Sequence, residues 1–123
     1  MNLVDSSGWL EYFADGPNCS FFAGALEDTE NLLVSTINIY EVLKRVLQQR
    51  GEDAAFQAVA LMEQAKVIDI DSAIAMSAAM LSAELKLPMA DSLILATARA
   101  FDAALWTQDG DFEGLPGVRF IRK

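Results

Sequence analysis

Short apolar runs alternating with longer stretches of helical spacing leave this chain few folds to choose from. The runs Asn2–Asp5, Leu32–Ser35, Val67–Ile70, Ala104–Thr107 and Val118–Ile121 are rich in β-branched residues or bounded by turn signals, and runs of that length read as strands. Their apolarity is continuous rather than alternating, as in a sheet covered on both faces. Between them, Ser6 or Ser7 can cap a helix reaching Phe13, and Cys19 to Leu26 fits another. From Thr36 to Gln49, residues Ile39, Val42, Leu43, Val46 and Leu47 recur at i, i+3, i+4, i+7 and i+8, one apolar helical face that Gly51 ends. Further helices are expected from about Asp53 to Ala65, from Ser72 to Lys86, and from Met89 to Phe101 behind Pro88, a residue that can open a helix but not continue it. This alternation predicts a three-layer α/β/α domain with a mainly parallel five-stranded sheet. Ligands of such sheets bind beyond the carboxyl ends of the strands.

A chain of 123 residues suits one domain, residues 1–123, large enough to bury a core without disulfides or structural metal. Cys19 has no second cysteine to pair with. The N-terminus carries Asp5 where a secretory signal would carry Lys or Arg, and apolar stretches such as residues 73–83 are too short to span a bilayer. The expected location is the cytoplasm, with no membrane association. Histidine is absent, which excludes Ser-His-Asp and Cys-His catalysis, His-dependent RNA cleavage and imidazole zinc sites. An enzyme built from this chain has carboxylates as its reactive groups. The formal charge is −9, from 9 Lys+Arg and 18 Asp+Glu, a balance that argues against simple nucleic-acid binding, because phosphate backbones are held by cations.

The acids that matter follow strands or open helices. Asp5 ends the first strand. Asp109 and Asp111 follow the fourth in Thr107-Gln-Asp-Gly-Asp-Phe112, Glu41 lies in the second turn of the helix after Leu32–Ser35, and Asp91 lies in the first turn behind Pro88. Taken singly, an acid in a first turn is favoured by the helix dipole, and Asp-Gly-Asp is an ordinary turn. Gathered at one sheet edge, like carboxylates repel unless a cation sits among them, and Mg²⁺ or Mn²⁺ with oxygen ligands is the usual neutraliser. Carboxylate-held ions suit phosphodiester hydrolysis by activated water.

The segments LVDSS (residues 3–7), NIYEVLKR (38–45) and LPMADSLILATARAFDAALWTQDGDFEGLPGVRFI (87–121) together resemble the PIN domain family, specifically the small kind typified by VapC toxins of type II toxin–antitoxin pairs. The resemblance covers essentially the whole chain. It implies a magnesium-dependent endoribonuclease leaving a 3′-hydroxyl and a 5′-phosphate. Asp5 and Asp91 would be the principal Mg²⁺ ligands, with Glu41 completing that site or orienting its water. Asp109 matches the fourth acidic position and Asp111 a fifth, and these two would form a second or weaker site. Ser7 and Thr107 match hydroxyl positions beside the acids. Members commonly carry Arg where this chain has Gln108, so one positive contact is missing or supplied elsewhere. An antitoxin that fills an apolar groove and blocks the metal site is implied, as is a homodimer.

Lys44 and Arg45 follow Glu41 by three and four residues. They are either intrahelical partners of Glu41 or a phosphate clamp beside the metal, and Arg99, eight residues beyond Asp91, has the same two readings. Arg119, Arg122 and Lys123 read as solvated charge. Trp9, Tyr12, Phe13, Phe21, Phe22 and Tyr40 fall within the first 40 residues and suggest a core with a residual groove for a partner helix, and Cys19 reads as a small apolar residue. Two other functions remain open at this stage: a PIN nuclease of RNA processing, and a PIN-fold interaction module without catalysis. A phosphatase using Asp5 as nucleophile would carry a second Asp two residues on, where this chain has Ser7.

Overall fold

In the computed structural model, which describes residues 1–123, the strands are β1 (Asn2–Val4), β2 (Leu32–Ser35), β3 (Lys66–Ile68), β4 (Ala104–Thr107) and β5 (Val118–Phe120). The helices are α1 (Ser6–Phe13), α2 (Cys19–Glu27), α3 (Thr36–Arg50), α4 (Glu52–Met62), α5 (Ser72–Leu85) and α6 (Met89–Ala100), with 3₁₀ turns at Thr29–Asn31 and Gly110–Phe112. One sheet runs in the order β3-β2-β1-β4-β5. All four pairings are parallel, so the mainly parallel sheet expected from the sequence is wholly parallel.

Residue alternation along the strands feeds two cores. Leu3, Leu33 and Leu105 face α5 and α6 and pack with Ile74, Ala78, Ile94 and Leu95. Val4, Leu32 and Val34 face the other way and pack with Trp9, Phe22, Val42, Val46 and Met62 from α1 to α4. The three layers follow directly. Gly8 is the tight point of the second core: a Cβ there would lie 2.5 Å from Val4 Cγ1 and 2.7 Å from the Phe22 ring. Its bare backbone lets α1 settle onto β1.

The boundaries differ from expectation for local reasons. β1 ends at Val4 because Asp5 is the N-cap of α1, although its backbone N–H still donates to Trp106 O at 2.8 Å. β3 ends at Ile68, which pairs with Ser35, the last residue of β2, so Asp69 and Ile70 have no strand to extend along. Gly51, at φ 85°, ends α3 and caps α4. Lys86 lies outside α5, as its left-handed cap at φ 58°. No single helix is long and apolar enough to cross a membrane. The apolar pair α5 and α6 bends by 117° and places Ile74, Ala78, Ile94 and Leu95 in the first core, while Met76, Met80 and Met89 stay exposed.

Candidate metal centre

From β1 the chain moves outward through β2 to β3, then returns to the other side of β1 with β4 and β5. The carboxyl ends of β1 and β4 therefore flank the switch point where open parallel sheets bind ligands. Asp5 stands there, 3% exposed. An N-cap carboxylate normally accepts a backbone N–H of the first turn, but this one caps nothing. Its Oδ2 instead accepts the hydroxyls of Ser7 at 2.7 Å and Thr107 at 2.9 Å. Burial raises the Asp5 pKa, and Asp109 and Glu41 add to this, while the two hydroxyl bonds work to lower it. Thr107 is fully buried and also accepts the Asp109 N–H at 2.9 Å, tying the end of β4 to the end of β1.

Glu41 reaches the same cleft from α3. Ser35 caps that helix, accepting the Ile37 N–H at 3.3 Å, and Asn38 Oδ1 returns to accept the Ser35 N–H at 3.1 Å. The other end of the Asn38 amide donates to Ser6 Oγ at 3.0 Å, and Ser6 donates onward to Glu41 Oε1 at 2.7 Å. A buried relay thus fixes one Glu41 oxygen. Ser6 and Asn38 belong to the site's scaffold, and sequence reasoning gave neither a role there. The capping spacing Ser35-Thr-Ile-Asn38 was the available signal for Asn38; Ser6 offered none, because both of its partners lie more than thirty positions away.

Asp91, Asp109 and Asp111 form the closest carboxylate group, with ligand oxygens all within 4.8 Å of one another. Pro88 caps α6, which places Asp91 in its first turn, and Asp109 Oδ1 accepts the Asp111 N–H at 3.0 Å, curling Asp111 back. The sequence reading grouped Asp91 with Asp5 and Glu41. The structure puts Asp5, Glu41, Asp91 and Asp109 around one cleft with Ser6, Ser7, Leu10 and Arg45, but it sets Asp111 nearer to Asp91 than its ranking as a fifth position implied. Burial, the adjacent Asp111 carboxyl, and the charges of Asp109 and Asp5 push the Asp91 pKa up to about 8. All the site's donors are hard oxygens, and their mutual repulsion is what a divalent ion relieves, so the donor set fits Mg²⁺ or Mn²⁺.

Cations are scarce here. Arg45 alone lines the acidic cleft. Arg122 and Glu113, 3.5 Å apart, make the chain's one ion pair, so neither Lys44 nor Arg45 is paired with Glu41. Arg99 lies in the last turn of α6, ~12 Å along the helix from Asp91 at 1.5 Å per residue, and is not a cleft residue. Arg119 is exposed and stacks over Trp106 at 5.0 Å. Gln108 is buried. It accepts from Asn18 Nδ2 at 2.9 Å and reaches Glu11 Oε1 at 3.5 Å, a neutral brace where an Arg would have added charge.

The aromatic cluster is more closed than expected. Phe22 and Trp9 are core residues, and Phe21 packs on Phe22 and Trp106 at 5.0 and 5.1 Å. Only Phe13 of the six lines the apolar groove between α1, α3 and α4, with Leu10, Val46, Ala54, Ala58 and Leu61; Tyr12 and Trp9 edge the adjoining hollow, and Tyr40 belongs to neither, being exposed on α3. Cys19 is half-buried, and burial, then Asp15, raises its thiol pKa, which keeps it protonated and unreactive.

A parallel α/β/α domain with carboxylates gathered at its switch point is the architecture of a PIN domain, and the PIN domain family model matches residues 3–118. The chain belongs to that family. Ribonuclease VapC4 of Mycobacterium tuberculosis is 34% identical over 96 residues, 72% of this chain and 74% of that protein. A toxin–antitoxin complex from Klebsiella pneumoniae contains a chain of 25% identity and TM-score 0.82, covering 97% of this chain and 96% of that one. The M. tuberculosis toxin VapC20, described as cleaving the sarcin–ricin loop, has the same fold at 18% identity and TM-score 0.78, covering 94% of this chain and 95% of its own.

Proposed function

We propose that this chain is a Mg²⁺-dependent endoribonuclease, the toxin of a type II toxin–antitoxin pair acting in the cytoplasm. The observation that carries this reading is the convergence of Asp5, Glu41, Asp91, Asp109 and Asp111 at the β1/β4 switch point. Similarity to a ribonuclease and to a chain of a solved toxin–antitoxin complex supports it. Asp91, Asp109, Asp111 and Asp5 would hold the metal, with Mn²⁺ as a substitute. When bound, the ion offsets the carboxylate charge and supplies acidity to water for attack at phosphorus. Ser7 and Thr107 hold one Asp5 oxygen in place and leave its Oδ1 free of hydrogen bonds. The Asn38–Ser6 relay does the same for Glu41, which is set to orient a water or complete the ligand set. Arg45 is placed to meet a phosphate entering the cleft.

The cognate antitoxin would seat an apolar helix in the groove of Leu10, Phe13, Val46, Ala58 and Leu61. A homodimer would cover Met76 and Met80, 64% and 72% exposed one turn apart on α5. The test is purified protein with RNA. Cleavage with Mg²⁺ or Mn²⁺, loss with EDTA, and inert Asp5→Asn and Asp91→Asn variants are expected. Full activity of either variant would sink the site assignment, and sequencing the RNA ends identifies the target.

A further inference from the structure

Tyr40 is 59% exposed on the outward face of α3, beside Glu41. Lys44 Nζ stands over its ring, 5.8 Å from the centroid. With Arg45 and Gln48 these residues line a shallow ledge that shares Glu41 and Arg45 with the acidic cleft, so ledge and cleft are one continuous surface. Lys44 and Arg45 make no ion pair, and Glu41, their natural helical partner, is already bonded to Ser6. In a chain with nine basic residues and a formal charge of −9, two unpaired cations and an open aromatic ring lie together at the rim of the carboxylate site.

We infer that this ledge is a nucleotide subsite: Tyr40 stacks the base next to the phosphate being cleaved, while Lys44 and Arg45 hold the flanking backbone. This rests on the nuclease reading above and adds a substrate requirement to it. An exposed ring offers a π-face to any base, which gives affinity with little sequence preference. Only an unpaired base can use it, because bases of an A-form duplex are stacked on each other and present no free face. The cations complement the phosphates on either side, supplying the attraction that the acidic remainder of the chain lacks. The nucleotide flanking the cut is therefore single-stranded.

The experiment uses the intact chain and an unstructured RNA 12-mer, alone and annealed to its complement. Tyr40→Ala is expected to raise KM for the single strand roughly tenfold, with kcat and Mn²⁺ affinity by calorimetry unchanged. Tyr40→Trp restores KM, and its added indole emission is quenched by the single strand but not by the duplex. An unchanged KM in Tyr40→Ala overturns the subsite. So does a shift of that variant from dimer to monomer in sedimentation, which would make the ring a contact between copies of the chain. If the wild-type protein cleaves no RNA, the nuclease reading falls separately. Quenching of Tyr40→Trp by the single strand in EDTA would still support the ledge, and its absence would overturn it.

Discussion

The Thr107 hydroxyl donates to Asp5 Oδ2 at 2.9 Å, and the same oxygen atom of Thr107 accepts the Asp109 N–H at 2.9 Å. One fully buried side chain thus joins the Asp5 carboxylate to the backbone of Asp109, linking opposite ends of the sequence. Thr107→Val keeps the shape and removes both bonds. Orienting contacts behind metal ligands are typically worth about 10–100-fold in metal affinity, so calorimetry with Mn²⁺ should show a loss in that range. The unpaired Asp109 N–H should also cost ~1–3 kcal/mol of stability in urea unfolding. Wild-type affinity in the variant would show that burial and the Ser7 bond suffice to position Asp5.

The metal-free protein should become less stable as pH rises from about 4 to about 8. Asp91 is raised from 3.8 to about 8, and Asp5 is raised as well. Across that window the unfolded chain has released protons that the folded chain retains, so folding is disfavoured as pH climbs. The stability is fully present below the unfolded carboxylate value and is lost as pH passes through the folded one. Asp91 is only half-buried, and solvent screening moderates the slope. Thermal melts in EDTA should fall over this range. Mg²⁺ should restore the melting temperature most at pH 8, where binding no longer has to displace a proton. A melting temperature that rises with pH in EDTA would contradict the carboxylate geometry.

Asp111→Asn separates the Asp111 contribution to the raised Asp91 pKa from that of burial, because the adjacent Asp111 carboxyl favours the protonated form of Asp91 and adds repulsion. At pH 8 the metal-free variant should melt higher than the parent, since one of two adjacent charges is gone. At pH 5, where Asp91 is protonated and the repulsion is absent, the gain should vanish. Mn²⁺ affinity should fall at both values. A gain that persists at pH 5 would assign the effect to turn stability at residues 109–111 rather than to charge.

Elements and acids were legible in the sequence for the same reason. Strand runs and helix openings fix where a chain leaves a parallel sheet, so Asp5, Glu41, Asp91 and Asp109 could be placed at its carboxyl edge before any contact was known. Their supports were less legible. Ser6 reads as a capping serine, yet its hydroxyl bonds Asn38 and Glu41 from another helix, a pairing that only the packing of α1 on α3 creates. Asp111 matched only a fifth acidic position of the family; the bond from its N–H to Asp109 folds it into the carboxylate group, a contact that the turn sequence Asp-Gly-Asp does not reveal. Of the aromatics, spacing indicated a core with a groove beside it, and Trp9 and Phe22 are core while Phe13 lines the groove; that Phe21 packs on Phe22 and Trp106 was not legible, because spacing gives a helical face but not its neighbour.

Gly8→Ala tests how the second core sets the site. The added methyl would lie 2.5 Å from Val4 Cγ1 and 2.7 Å from Phe22, both in fully buried side chains. Neither can yield as a flexible surface group would, so α1 must lift from β1. Overpacking of this kind costs ~1–3 kcal/mol, against which the better helix propensity of Ala returns at most ~1 kcal/mol. The net expectation is a loss of stability in urea unfolding. Ser6 and Ser7 ride on the same first turn, and a lifted helix lengthens their bonds to Glu41 and Asp5. Mn²⁺ affinity should therefore fall together with stability in Gly8→Ala. In a surface control such as Gly24→Ala, where a Cβ meets nothing within 4 Å, affinity should stay unchanged and stability should hold or rise slightly. Equal behaviour of the two variants would disconnect the core under α1 from the metal site.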